Sequence, residues 1–259
     1  MKHVRKKCLV QHTVGDDIAK LFSTAPVDED ALTKLRTTDY RGYYALSLTS
    51  GNELIQTFKY NFRRDTIFLP ELHPIVLYFH VAQRQLESIK EEKAFLLLEA
   101  KGIKDIGALL NRSYGFFGTA TCCAIFLFNA IEAMTNLLIP EQYVYSVGPE
   151  RKKVVYNKEG IQRDIRFEEK IKEVVPDATK TGAFHLQRTS DYDRLIRLKQ
   201  LRDEIVHTKT DIAAKPNYYE RLYNDLLGFD FEKAAIACRN YVNFYSPDLI
   251  EDCPCGKNF

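Results

Sequence analysis

The segment Leu195 to Lys209 holds the residues best suited to chemistry. On a helical wheel at about 100° per residue, Leu195, Leu198, Leu201, Ile205 and Val206 share one arc, and Arg202 falls inside it. A guanidinium in a core-facing stripe must be paired or face a cavity, because an unpaired buried charge is strongly destabilising. Its plainest role is structural, bonded to a neighbouring carboxylate. Asp203 and His207 are four apart, about 40° on the same wheel, so that carboxylate could orient and partly protonate the imidazole. Arg202 and His207 are about 140° apart. They converge only through the long arm of Arg, through a loosened last turn, or across an interface. His207 also stands at the expected helix end, where the helix dipole favours its protonated form and a cap or surface role is the simple alternative.

A second polar oddity lies upstream. The stretch Phe116 to Ile139 is long and apolar enough to span a bilayer, yet it contains Asn129, Glu132 and Asn136, which are expensive there. It therefore reads as a buried helix, with those three residues at i, i+3, i+7 spacing in one narrow stripe. A buried carboxylate needs a cation, and Glu132 is the natural partner for Arg202. A polar latch between two helices, with no chemistry, fits these residues equally well.

The string Arg202-Asp203-Glu204-Ile205-Val206-His207 resembles the R-x(4)-H signature of the HEPN superfamily, in which a polar residue commonly follows the Arg. The helix Phe126 to Asn136, with its inward Glu132 and Asn136, is similar to an early HEPN helix, and the resemblance covers about residues 105 to 245. It implies a helical bundle that forms a homodimer, with two motifs facing one another across a shared cleft. In many members that cleft is a metal-independent endoribonuclease site. Attack by a 2′-hydroxyl needs a base, an acid for the leaving 5′-oxygen and a cation for the charge gathering on phosphorus. His207 would be base or acid and Arg202 would hold the phosphate, supported by Asp203, Glu132 and Asn136. The products would be a 2′,3′-cyclic phosphate and a 5′-hydroxyl, with no cofactor. Some toxin members carry Tyr two residues after the His, where a nucleotidyltransferase antitoxin modifies it. Here that position is Lys209, which would offer a phosphate contact instead. RNA is the implied substrate, and an antitoxin or regulatory protein the implied partner of a defence or toxin protein. Other HEPN proteins are noncatalytic modules that bind a nucleotide or a protein.

The tail Cys253-Pro254-Cys255-Gly256-Lys257 looks like the opening of a small zinc-binding motif of the SEC-C type, without its second pair of ligands. Two cysteines are half a tetrahedral site, to be completed by another part of the chain or a dimer mate, so no metal is expected from the tail alone. Cys122 and Cys123 read as core residues. The six cysteines, Cys8 and Cys238 included, are too few and too irregularly spaced for a secreted disulfide framework. A cytoplasmic protein is the expectation, since residues 1 to 10 also lack the apolar run of a signal peptide.

These groups have to be positioned by elements that punctuation and periodicity make legible. With 45% hydrophobic and 28% charged residues and a net charge of +2, the 259-residue chain is of ordinary globular composition and excludes disordered or collagenous classes. The charge is uneven, since residues 151 to 221 hold 17 Lys and Arg against 12 Asp and Glu, a modest attraction for phosphate. Alternation over Thr57 to Arg63 predicts a strand, with Tyr43 to Leu48 and Thr66 to Leu69 as partners and a turn at Ser50-Gly51-Asn52. Helices are predicted from Pro74 to Glu99, from Ser113 or Thr119 to Ile139, and over about 163–175, 190–209, 217–227 and 231–244, with 141–162 a polar connection. The fold expected is mainly α, a HEPN-like helical bundle preceded by a small β-containing N-terminal region. Its divisions are 1–72, a long connecting helix over 73–104, the helical domain over 105–247 and a Cys-containing tail over 248–259.

Overall fold

A computed structural model describes residues 2–13, 45–48, 53–102, 105–208 and 219–255. The chain is mainly helical with a small N-terminal β region, and it divides into two compact units, Lys6–His73 and Met1–Arg5 with Pro74–Phe259.

In the smaller unit, β3 (Glu53–Phe62) is the hub of a four-stranded sheet. It pairs antiparallel with β1 (Val10–Thr13), β2 (Ala45–Leu48) and β4 (Asp65–Pro70). The β3–β4 register runs from Thr57 opposite Pro70 to Phe62 opposite Asp65, and the turn between them places Arg63 at φ 56°, in the left-handed region. The alternation read over Thr57 to Arg63 lies in β3 as far as Phe62, and Arg63 belongs to the turn that follows. The proposed partner 43–48 is described from Ala45 onward and pairs as a hairpin strand. Tyr43 and the turn Ser50-Gly51-Asn52 lie outside the described residues. Strand β1 had no sequence signal, because Val10-Gln11-His12-Thr13 is too short and too polar to show a period.

The helical unit is built on two long helices, α1 (Pro74–Ala100) and α2 (Ile106–Leu137). Pro74 suits the first turn of α1, where its missing N–H is not needed. Ile75, Phe79, Ala82, Leu86 and Ile89 of α1 join Phe116, Ala120, Cys123, Ala124 and Leu127 of α2 in one core. α2 begins well before Ser113, because Asp105 caps it by accepting from the Gly107 N–H at 2.8 Å. Gly107, Gly115 and Gly118 lower the intrinsic helix preference of this first stretch, and packing against α1 overrides them. Among the described residues α2 is the one helix long and apolar enough by length and composition to cross a membrane.

Between α2 and the site helix the chain makes a two-stranded hairpin that polarity concealed, β5 (Tyr145–Val147) with β6 (Val154–Tyr156). The helix expected over 163–175 is interrupted. α3 (Lys158–Asp164) stops where Ile165 and Arg166 turn extended, and a second helical run, α4, comprises Phe167–Glu169, a π turn at Lys170–Val174 and Val175–Thr179. Pro176 has no N–H for the ladder, which the wide turn before it accommodates. After the short α5 (Phe184–Gln187) come α6 (Thr189–Val206), α7 (Glu220–Gly228) and α8 (Phe231–Tyr245). α6 rests on α2 and α8 through Leu195, Leu198 and Leu201. Buried Thr135 of α2 and Tyr241 of α8 share a hydrogen bond of 2.8 Å.

Candidate functional site

The leucine face of α6 is held in the core, which leaves Arg202 at the edge of the α6–α2 contact. Its side chain is 24% exposed. The guanidinium carbon lies 4.7 Å from the ring centroid of Phe128, a buried α2 residue one turn before Glu132, and Phe167 of α4 packs on the same ring at 5.0 Å. A cation over an aromatic face in a partly dry setting contributes about 1 kcal/mol. Arg202 Nη1 donates to Asp203 Oδ1 at 3.1 Å, while Nη2 stands 3.9 Å from Glu132 Oε2, an ion pair beyond hydrogen-bond length. The neighbouring carboxylate that engages Arg202 most closely is therefore Asp203, with Glu132 second.

Around this pair the charges alternate. Lys199 Nζ donates to Asp203 Oδ2 at 2.9 Å and meets Glu168 Oε1 of α4 at 3.2 Å. Partial burial alone would push the Asp203 carboxyl up, but hydrogen bonds from Lys199 and Arg202 outweigh it and hold the group below the usual carboxylate range. Burial would likewise lower the Lys199 ammonium, and its bonds to Asp203 and Glu168 raise it instead. Lys170, nearly fully buried, donates to the Gln162 carbonyl at 2.6 Å. Burial pushes its ammonium below the ordinary lysine value, against the attraction of Glu132. Asn136, one turn beyond Glu132, has a buried Oδ1 that meets no hydrogen-bond donor among the described residues.

His207 is placed differently. It caps α6 with φ −109° and ψ 44°, its N–H donating to the Asp203 carbonyl at 2.9 Å. The residue is exposed, and among the described residues no hydrogen bond or ion pair reaches its imidazole. Asp203 does not orient that ring; both of its carboxylate oxygens serve cations on α6. Thr208 closes the helix end by donating to the carbonyls of Ile205 and Glu204. Lys209 lies outside the described residues.

So the structure brings Arg202, Asp203 and Glu132 together, sets Asn136 on the same helix as Glu132, and leaves His207 at the exposed tip of α6. Lys199, Phe128, Glu168 and Lys170 complete the cluster and were not singled out from sequence. The Lys199–Asp203 pair had a readable i, i+4 signal, and Phe128 sits four residues before Glu132 on one face. Glu168 and Lys170 reach the cluster only through tertiary packing. Two open clefts flank α6, one of about 680 Å³ beside Arg166, Glu168 and Lys199, the other of about 630 Å³ beside Arg197, Glu204 and Arg221. Neither is lined by Arg202 or His207. Chemically, the cluster can hold a fixed cation with donors to spare, and an accessible imidazole at the helix end can exchange protons with solvent or a ligand. Comparison with family models, with curated proteins and with solved structures finds no match to this chain.

Proposed function

We propose that this chain is a HEPN-type endoribonuclease that works as a homodimer, cleaves RNA without a metal in the reaction, and serves as a defence or toxin protein in the cytoplasm. The observation that carries the reading is the setting of Arg202. It is seated on Phe128, fixed from one side by Asp203 and attracted from the other by Glu132, five residues before an exposed His207. A guanidinium with five donors, one of them spent on the bond to Asp203, retains donors for a phosphate. His207 moves the proton, as base toward the 2′-hydroxyl or as acid toward the leaving 5′-oxygen. Asp203 and Glu132 are positioning residues, which keep the Arg202 fork from swinging away. Asn136 supports the same stripe, and Lys209 would add a phosphate contact.

The deciding experiment incubates RNA with the purified protein in EDTA, beside His207→Ala, and identifies the ends produced. Cyclic phosphate and 5′-hydroxyl ends that vanish in the variant support the reading. A second reading is a noncatalytic module that binds a nucleotide or a protein partner. It is favoured by the neutralisation of Arg202 and Lys199 by Asp203, Glu132 and Glu168 within one chain. Intact RNA together with saturable nucleotide binding would select it.

A further inference from the structure

Both termini of the described chain are fastened to the helical unit side by side. Val4, wholly buried, forms an antiparallel bridge with Asp252, and its N–H donates to Gln83 Oε1 of α1 at 3.2 Å. Gln83 Nε2 donates back to the Lys2 carbonyl at 2.6 Å. Arg5 N–H bonds the Glu251 carbonyl at 3.0 Å, and the Cys253 N–H bonds the His3 carbonyl at 2.5 Å. This two-stranded tie sets His3 directly beside the turn Cys253-Pro254-Cys255. His3 Nδ1 lies 3.3 Å from Cys255 Sγ, and one ligand atom from each of His3, Cys253 and Cys255 lies within 4.8 Å of the others.

We infer that His3, Cys253 and Cys255 form a zinc site that joins the two ends of the chain, with water in the fourth position. Two thiolates and an imidazole are the donor set that borderline-soft zinc takes, and one that magnesium or calcium would refuse. With Zn–S near 2.3 Å and Zn–N near 2.0 Å, tetrahedral ligand atoms stand roughly 3.5–3.8 Å apart, so side-chain adjustments of about 1 Å close the set around an ion. Neither cysteine is in a disulfide, and Cys253 is half-buried and Cys255 exposed, which leaves an entry path and an open side for water. Binding at neutral pH converts both thiols to thiolates and releases their two protons to buffer, so affinity rises with pH. The half site legible in the tail is completed by a residue some 250 positions away that no spacing rule would connect to it. The inference is independent of the ribonuclease reading, since none of the three residues belongs to the Arg202 cluster.

The test uses the full chain, purified under reducing conditions and titrated with cobalt and then zinc. Wild type should take one metal per chain, with cobalt showing thiolate charge-transfer absorption and the intense visible bands of a four-coordinate ion, displaced by zinc. Cys253→Ser and Cys255→Ser should each lose most of the charge-transfer intensity, and His3→Ala should weaken zinc binding by more than about tenfold. Circular dichroism of each variant verifies that the helical unit is intact, as expected for substitutions at exposed or half-buried positions. Equal zinc affinity in folded His3→Ala and wild type overturns the ligand set. So does metal uptake that persists in the double Cys253→Ser/Cys255→Ser variant, which would belong to other cysteines, or no uptake by wild type at all.

Discussion

The imidazole of His207 and the guanidinium of Arg202 respond to substitution in opposite ways because one is exposed and the other packed. His207→Ala removes an exposed side chain with no hydrogen bond or ion pair among the described residues, so stability should stay within about 0.5 kcal/mol of wild type while RNA cleavage disappears. A thermal melt and a cleavage assay on the same preparation check both halves. Arg202→Ala should cost roughly 10²-fold to 10³-fold in rate, the scale for losing one charge-stabilising donor. It should also lower the melting temperature, since it strips the cation from Phe128 and leaves Glu132 facing an emptied position. Arg202→Lys keeps the charge but loses the flat fork that stacks on Phe128, so it should recover stability better than rate. Asp203 adds a pH signature. Its carboxyl is held below the usual range in the folded protein, so its stabilising contribution is complete above the unfolded value of about 3.9 and fades as pH falls through the folded one. The gap in denaturation midpoint between wild type and Asp203→Asn should be open at neutral pH and close in acid. A gap that is constant with pH would remove Asp203 from the charge network.

Among the elements, α2 and the β5–β6 hairpin place glycine under opposite constraints. Gly118 is exposed in mid-helix with nothing within 4 Å of an added Cβ, so Gly118→Ala should stabilise the protein by about 0.8 kcal/mol through helix preference alone. Gly148 has φ +102°, and a Cβ there would meet the Lys152 carbonyl at 2.9 Å, so Gly148→Ala should destabilise. Paired melts of the two variants read both signs. The same two elements mark how far sequence alone could reach. Helix ends at Pro74 and near Pro140 were legible because proline acts locally, and the leucine stripe of α6 was legible because period 3.6 repeats within one element. The start of α2 was not, since a lone Asp105 cap before a glycine-bearing stretch has no local advantage until α1 covers it. Nor was the hairpin, each strand of which is three residues long. In the candidate site, Arg202 stood out as a charge in an apolar arc. The α4 residues that complete its cluster did not, because Phe167 on Phe128, Glu168 on Lys199 and Lys170 near Glu132 arrive through the π-turned run of α4, whose path no period announces.

At the scale of the whole molecule the question is how one exposed imidazole and one half-neutralised guanidinium could supply base, acid and phosphate clamp together. Within a single chain the cluster of Arg202, Lys199, Asp203, Glu132 and Glu168 is nearly balanced in charge, and His207 stands apart from it at the tip of α6. A two-fold axis near the end of α6 would bring two imidazoles and two guanidinium groups around one cleft, with each chain supplying what the other lacks. The surplus of basic residues over 151–221 would then be doubled along that cleft, repelling the empty dimer and attracting an anionic strand. Mixing experiments separate this arrangement from two independent sites. With equal amounts of wild type and His207→Ala exchanging freely, half of all dimers are mixed. If a mixed dimer is inactive, cleavage per wild-type chain falls to about half, and it falls further in proportion as more variant is added. If each chain works alone, cleavage per wild-type chain stays constant at every ratio. The shared-cleft reading requires the first result, together with a dimer in sedimentation that RNA or phosphate tightens; constant activity per wild-type chain, or a monomer at working concentration that still cleaves, would sink it.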